Sequence, residues 1–271
     1  LAIPDSMSNE FTRDWFDDGR DPAQDDPVRA ARFGMRPALP KRFYEAVSIG
    51  EAGGRYAVLL DGRPARTKSK AVLSGPNMAV AEQLAAEWAA QTGEINPATM
   101  PATRIVHAAL DHVENAMAEV RADILKYAAS DLVCYRAADP ARLVERQAQH
   151  WDPVLAHIRA RYGAGFLLSE GITFVTQPGE SLERLAPRLE AISDPIALSA
   201  LHVLTTVSGS ALVAIAVADG ALDADSGFDA GECDADYEAS VWGIDEEAAQ
   251  RRALRLADFR AATALLRAIG G

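Results

Sequence analysis

Three consecutive carboxylates, Asp245, Glu246 and Glu247, lie between Trp242-Gly243 and the basic pair Arg251-Arg252 in the stretch VWGIDEEAAQRRALR. Such a run has four chemical uses: a proton-transfer pair, ligands for a hard cation, the cap of a helix, or a docking face for a basic partner. Local spacing separates the three acids. Asp245 follows Gly243 by two residues and has the short carboxylate of a helix cap. Glu247 has Arg251 four residues on, the favourable order for a helical ion pair. Glu246 has Ala249 and Gln250 at those offsets, so no local cation claims it. Catalysis would need a second group. The alternative function on these residues is a small hydrolase that pairs Glu246 with Asp152.

The remaining candidates are weaker. GEAGG at 50–54 lacks the strand-to-helix setting of a phosphate loop and reads as a hairpin turn. No G-x-S-x-G or H-E-x-x-H occurs. His107 and His112 are five apart and share a helix face poorly, and a proline lies between His150 and His157. Glu145, Asp152 and Glu170 belong to no constellation, and Asp152 precedes Pro153 as a helix cap would. Cys134 and Cys233 have no second pair and read as plain thiols of a reducing compartment. No catalytic residue, metal or cofactor is expected.

The strongest physical signal is a window from Asp219 to Glu247 with eleven acids and no Lys or Arg, which holds −11 of the chain's net −12. A charge run is ordinarily a solvated face. This one also carries Phe228, Tyr237, Val241 and Trp242, and apolar anchors in a single-signed surface suit steering and docking of a basic protein. The partner-binding residues expected are Glu246, Asp245, Trp242 and Tyr237.

These residues need a scaffold. Residues 1–36 are rich in Asp, Pro and Arg and read as a partly disordered acidic tail, with Met7 as the natural start. A meander of short strands follows: RFYEAVSI, then RYAVLL, the hairpin signal Asp61-Gly62, RPART and AVL. Val80, Leu84 and Trp88 mark a helix after Pro76. Apolar steps of three and four from Thr103 to Tyr127 predict a long helix with at most one break. Two Asp-Pro pairs predict helices over 140–150 and 153–162. GFLLSEGITFVT reads as a hairpin, 181–191 as a short helix, 194–218 as an apolar helix, and 245–268 as the last helix. The small residues of SGS at 208–210 suit close helix packing. The fold class is α+β: a β-rich N-terminal lobe over 37–100 with one or two helices, a seam in 94–103, and a mostly helical C-terminal lobe over 101–271.

Half of the residues are apolar and a quarter charged, as in a globular protein. The acidic balance argues against nucleic acid and anionic lipid as partners. Residues 195–218 carry no charge and are long enough to span a bilayer. They contain His202 and several hydroxyls, and acids rather than cations flank them, so a core helix is expected in place of a membrane anchor. The location expected is bacterial cytoplasm.

Taken together, several strings resemble one family, the assembly chaperones dedicated to the alpha subunit of the F-type ATP synthase (the "ATP-twelve" family of mitochondria and alphaproteobacteria). They are KRFYEAVSI, YAVLLDGRPARTKSK, AAEWAAQTGEINPATMPATRI, YAASDLVCYRA, QAQHWDPVL, TTVSGSALVAIAVADG and VWGIDEEAAQRR, in the family's order over about 41–255. Asn96 departs from the acid usual there, and the linker after Gly220 is variable. The resemblance implies a non-enzymatic chaperone. It would bind the free alpha subunit at its nucleotide-binding region and keep it from aggregating or self-associating until a beta subunit takes its place. It places that function at the WGIDEE acid, here Glu246, in a two-lobed fold, with the mitochondrial matrix as the setting of eukaryotic relatives.

Overall fold

The computed structural model describes residues 39–270 apart from Ile172, so the expected acidic tail lies outside the described residues. The chain is α+β and divides into two compact units between His112 and Val113, later than the seam expected in 94–103.

The first unit is built on a meander. Strand β1 (Val47–Ala52) pairs antiparallel with β2 (Arg55–Leu60), which also pairs with β3 (Arg63–Pro64) and β4 (Ser74–Gly75). Asp61 and Gly62 both take positive φ, as the hairpin signal requires. The Asp61 carboxylate also accepts the N–H groups of Glu45 and Ala46, which tethers the segment entering β1. That segment is not a strand as far back as expected, and Phe43 is exposed. Helix α1 (Met78–Ala89) starts two residues after Pro76, capped by Asn77, and lays Val80, Ala81 and Leu84 into the core. Helix α2 (Pro101–Asp111) stays with this unit because Glu87 of α1 caps it, accepting the N–H groups of Ala102 and Thr103 at 2.7 Å each.

The second unit is helical. Helix α3 (Met117–Ala129) is separated from α2 by a short turn, the one break expected. Helix α4 (Ala141–Tyr162) is continuous, not two helices. A mid-helix proline costs about 3 kcal/mol. The stripe of Gln147, Trp151, Val154 and Ile158 continues in phase through Pro153, and burying it outweighs that cost. Asp152 therefore caps nothing and pairs with Arg136 at 2.8 Å. Among the described residues the expected hairpin at 165–176 does not form. Its Ser169–Glu170 (β6) pairs parallel with Tyr135–Arg136 (β5) instead.

Helix α5 (Gly179–Glu190) precedes the apolar segment, which forms two helices, α6 (Pro195–Ser208) and α7 (Ala211–Ala218). Gly209 takes a left-handed conformation and Ser210 caps α7 through the Val213 N–H. No helix of the described residues is long and apolar enough to cross a membrane. Both helices are core, and α6 packs most extensively on the last helix. The acidic window folds into α8 (Ala224–Gly231) and α9 (Cys233–Trp242), ahead of α10 (Glu246–Gly270). A β-carbon at Gly231 would lie 2.7 Å from the Ser208 backbone, so close packing at the SGS string depends on small residues on both sides.

Candidate functional site

Most of the acidic window is neutralised inside the second unit. Asp219 is side-chain buried, accepting from Tyr162 at 2.6 Å, from Arg188 at 3.1 Å, and meeting His157 at 2.9 Å. Burial pushes its carboxyl up, but these three hydrogen bonds prevail and hold it below the usual range. Asp225 pairs with Arg260, Asp229 and Asp236 with Arg252, Glu232 with Arg255, and Glu247 with Arg251. Asp223 caps α8, and Asp234 accepts from the Gln147 amide. The single-signed surface expected from composition is thus a set of braces, mostly to α10. Five of the eleven acids, Asp223, Asp234, Glu238, Asp245 and Glu246, have no ion pair among the described residues, and of these only Glu238 and Glu246 neither cap a helix nor meet Gln147.

Both lie at one corner of the second unit. Helix α9 ends at Trp242, and Gly243 takes φ 85°, a conformation that strains a side-chain-bearing residue. The chain reverses there, and Asp245 caps α10 by accepting the Ala248 N–H at 2.7 Å. Glu247 pairs with Arg251 at 2.5 Å, as its spacing predicts. Glu246 is exposed, with only the Gln250 amide at 3.4 Å. Trp242 is 85% exposed, and Val241 and Ile244 are each about half exposed.

An open cavity of ≈460 Å³ lies between α9 and α10, lined by Glu238, Ala239, Trp242, Ile244 and Asp245 on one side and by Arg251, Arg252 and Arg255 on the other. The three guanidiniums already face Glu247, Asp236 and Glu232. The corner therefore offers an exposed apolar edge with unclaimed negative charge beside it.

The structure brings Trp242 and Asp245 together here, with Glu246 exposed one residue beyond. It leaves Tyr237 out: five residues before Trp242, it lies about 140° round the helix, half-buried. Val241, one of the window's apolar anchors, also belongs to the corner, as do Glu238 and Ile244, which the spacing did not single out. Glu238 stands four residues before Trp242, so reading 233–242 as a helix would have put the two on one face.

The other candidates are placed apart from this corner among the described residues. Asp152 pairs with Arg136 rather than Glu246. His202 is buried against Asp123 at 2.9 Å. Both cysteines are free and buried, and burial pushes the Cys134 thiol up to about 12. Among the described residues, no three His, Cys, Asp or Glu side chains gather as metal ligands.

Comparison with known proteins adds a family. A family model described as ATP12 chaperone protein matches residues 41–159. The fold is similar to that of a candidate chaperone of Agrobacterium tumefaciens, at TM-score 0.82 and 41% identity, over 96% of this chain and 98% of that one. It is similar to Atp12 of Paracoccus denitrificans at TM-score 0.76 and 36% identity, over 84% of this chain and 97% of that one. An aspartate-to-lysine mutant of the Paracoccus protein matches at TM-score 0.76 and 35% identity, with the same coverage.

Proposed function

We propose that this chain, which belongs to the ATP12 chaperone family, is an assembly chaperone that binds the free alpha subunit of the F-type ATP synthase. It keeps that subunit from aggregating or self-associating until a beta subunit replaces it. The reading assigns the chain no catalytic step and sets it to work as a soluble protein of the bacterial cytoplasm.

The observation that carries the reading beyond family membership is the corner at Trp242. An indole 85% exposed, with Val241 and Ile244 beside it, is apolar surface that nothing among the described residues covers. Glu246 and Glu238, with no ion pair among the described residues, give it the charge that suits a basic face. Aromatic anchors ringed by charge are the usual seat of binding energy between proteins. The reading expects a basic face on the nucleotide-binding region of the alpha subunit, which must handle polyanionic phosphates.

The test is to dilute isolated alpha subunit from denaturant with and without this protein, following turbidity and co-elution on a sizing column. The expected result is suppressed turbidity and a joint peak that beta subunit dissolves. Aggregation at an unchanged rate with no joint peak overturns the proposal.

A further inference from the structure

The first unit holds a second cavity, of ≈730 Å³, that the corner at Trp242 does not involve. Its apolar wall runs from Phe43 and Tyr44 through Trp88 to Ile95. Phe43 meets Tyr44 edge-on with centroids 5.4 Å apart, and Tyr44 meets Trp88 at 5.7 Å. Tyr44 is fixed in place, donating its hydroxyl hydrogen to the Trp88 carbonyl at 2.7 Å. Phe43 at the mouth is 72% exposed. An aromatic row with one end in solvent is the wall of a site that takes an extended segment.

The charged groups that line the cavity are two arginines and one carboxylate. Arg63 and Arg66 line it, and neither makes an ion pair among the described residues, though Arg66 donates one guanidinium N–H to the Lys70 carbonyl at 2.7 Å. Asp61 also lines it, but its carboxylate is engaged by the N–H groups of Glu45 and Ala46. The Trp88 indole N–H is buried and has no acceptor among the described residues. From Arg63 to Lys70 the chain carries four cations and no acid, all of them exposed, in a protein of net charge −12. The site offers donors and positive charge over an aromatic floor, the opposite sign from the corner on the second unit.

We infer that this cavity is a second client-docking site, and that it takes an extended peptide segment of the client carrying an apolar side chain beside a carboxylate. The apolar side chain packs on Phe43 and Trp88. The carboxylate meets Arg63 and Arg66, where a guanidinium fork binds it in two-point fashion. The inference rests on the chaperone reading for the identity of the client, not for the chemistry of the site.

The experiment titrates ¹⁵N-labelled full-length protein with acetyl-Gly-Asp-Leu-Phe-Glu-Gly-amide and with the same peptide carrying Lys at both acidic positions. The acidic peptide should shift the Trp88 indole resonance and the Leu60 and Ala65 amides saturably. The basic peptide should leave them in place. Arg63→Ala with Arg66→Ala, at exposed positions, should keep the fold and weaken the acidic peptide by about tenfold or more. The same double variant should weaken association with the alpha subunit several-fold. Equal binding of both peptides, no movement of the indole, or unchanged alpha-subunit association in the double variant each overturns the inference. So does an indole shift that follows protein concentration without peptide (a second copy), or one reproduced by an oligonucleotide. The peptide titration uses no alpha subunit. Peptide binding in a protein that fails to hold the alpha subunit would overturn the chaperone reading and the client assignment together, while leaving the peptide site itself established.

Discussion

Asp131 and Ser210 stand 79 residues apart in the chain and share a hydrogen bond of 2.5 Å, the Ser210 hydroxyl donating to the carboxylate. The same carboxylate accepts the Leu212 N–H at 3.0 Å and the Val133 N–H at 3.3 Å. It thereby satisfies the start of α7 where the apolar segment breaks. Two sequence strings, SDLVCYRA and SGS, are distinctive for this one junction.

Asp131 also makes stability depend on pH. Complete burial pushes its carboxyl up, against the hydrogen bonds that favour the charged form, and leaves it at about 6. The folded value exceeds that of the unfolded chain, so the folded state holds the extra proton. Its stabilising share is full below about pH 4 and lost as pH rises through about 6. That share is about 3 kcal/mol at about 1.4 kcal/mol per unit. In urea unfolding at pH 4.5 and pH 7, Asp131→Asn should lack this slope, while the parent shows it. Equal slopes would contradict the assignment.

Leu204 is fully buried in α6. Leu204→Asp puts an unpaired carboxylate there, and the expected loss is about 4 kcal/mol, read as insoluble protein or a collapsed melting transition. An unchanged Tm would show that α6 is not core.

Asp245 and Glu246 are adjacent and should behave differently. Asp245→Ala removes the acceptor of the Ala248 N–H and should cost about 1 kcal/mol. Glu246→Ala removes an exposed group with no ion pair and should leave Tm unchanged within about 1 kcal/mol. Thermal melts of the two variants check this; equal losses would make Glu246 a structural acid.

These contrasts show what was legible in sequence. Local chemistry was: the Asp61-Gly62 hairpin, the Asp245 cap and the Glu247–Arg251 pair each follow from neighbours within a turn. The continuity of α4 was not, because Pro153 is a local breaker that only the buried stripe around Trp151 overrides. The parallel pairing of Ser169–Glu170 with Tyr135–Arg136 joins distant segments and leaves no local trace. The acidic window misled for the same reason. Its charge is visible in a line of sequence, but its partners Arg252, Arg255 and Arg260 come from the next helix. That pairing reduces the free acids at the corner to a pair without changing its apolar edge.

Steering should accordingly be modest. Charges beyond about 8 Å are screened at physiological ionic strength. With most acids of the window already paired, the association rate with alpha subunit should fall only a few-fold between low and high salt, on the order of 3–10-fold. Stopped-flow traces at several ionic strengths measure it. No dependence at all would remove Glu238 and Glu246 as steering charges.

The most direct test of the central claim is the affinity of isolated alpha subunit for the Glu246→Lys protein beside the parent, measured with circular dichroism and Tm on the same samples. The account predicts a native spectrum, a Tm within a few degrees of the parent and binding weakened at least about tenfold, more than for Glu246→Ala, because repulsion is added to the lost attraction. Parent-like affinity in a folded Glu246→Lys protein, or weakened binding that appears only together with unfolding, would contradict it.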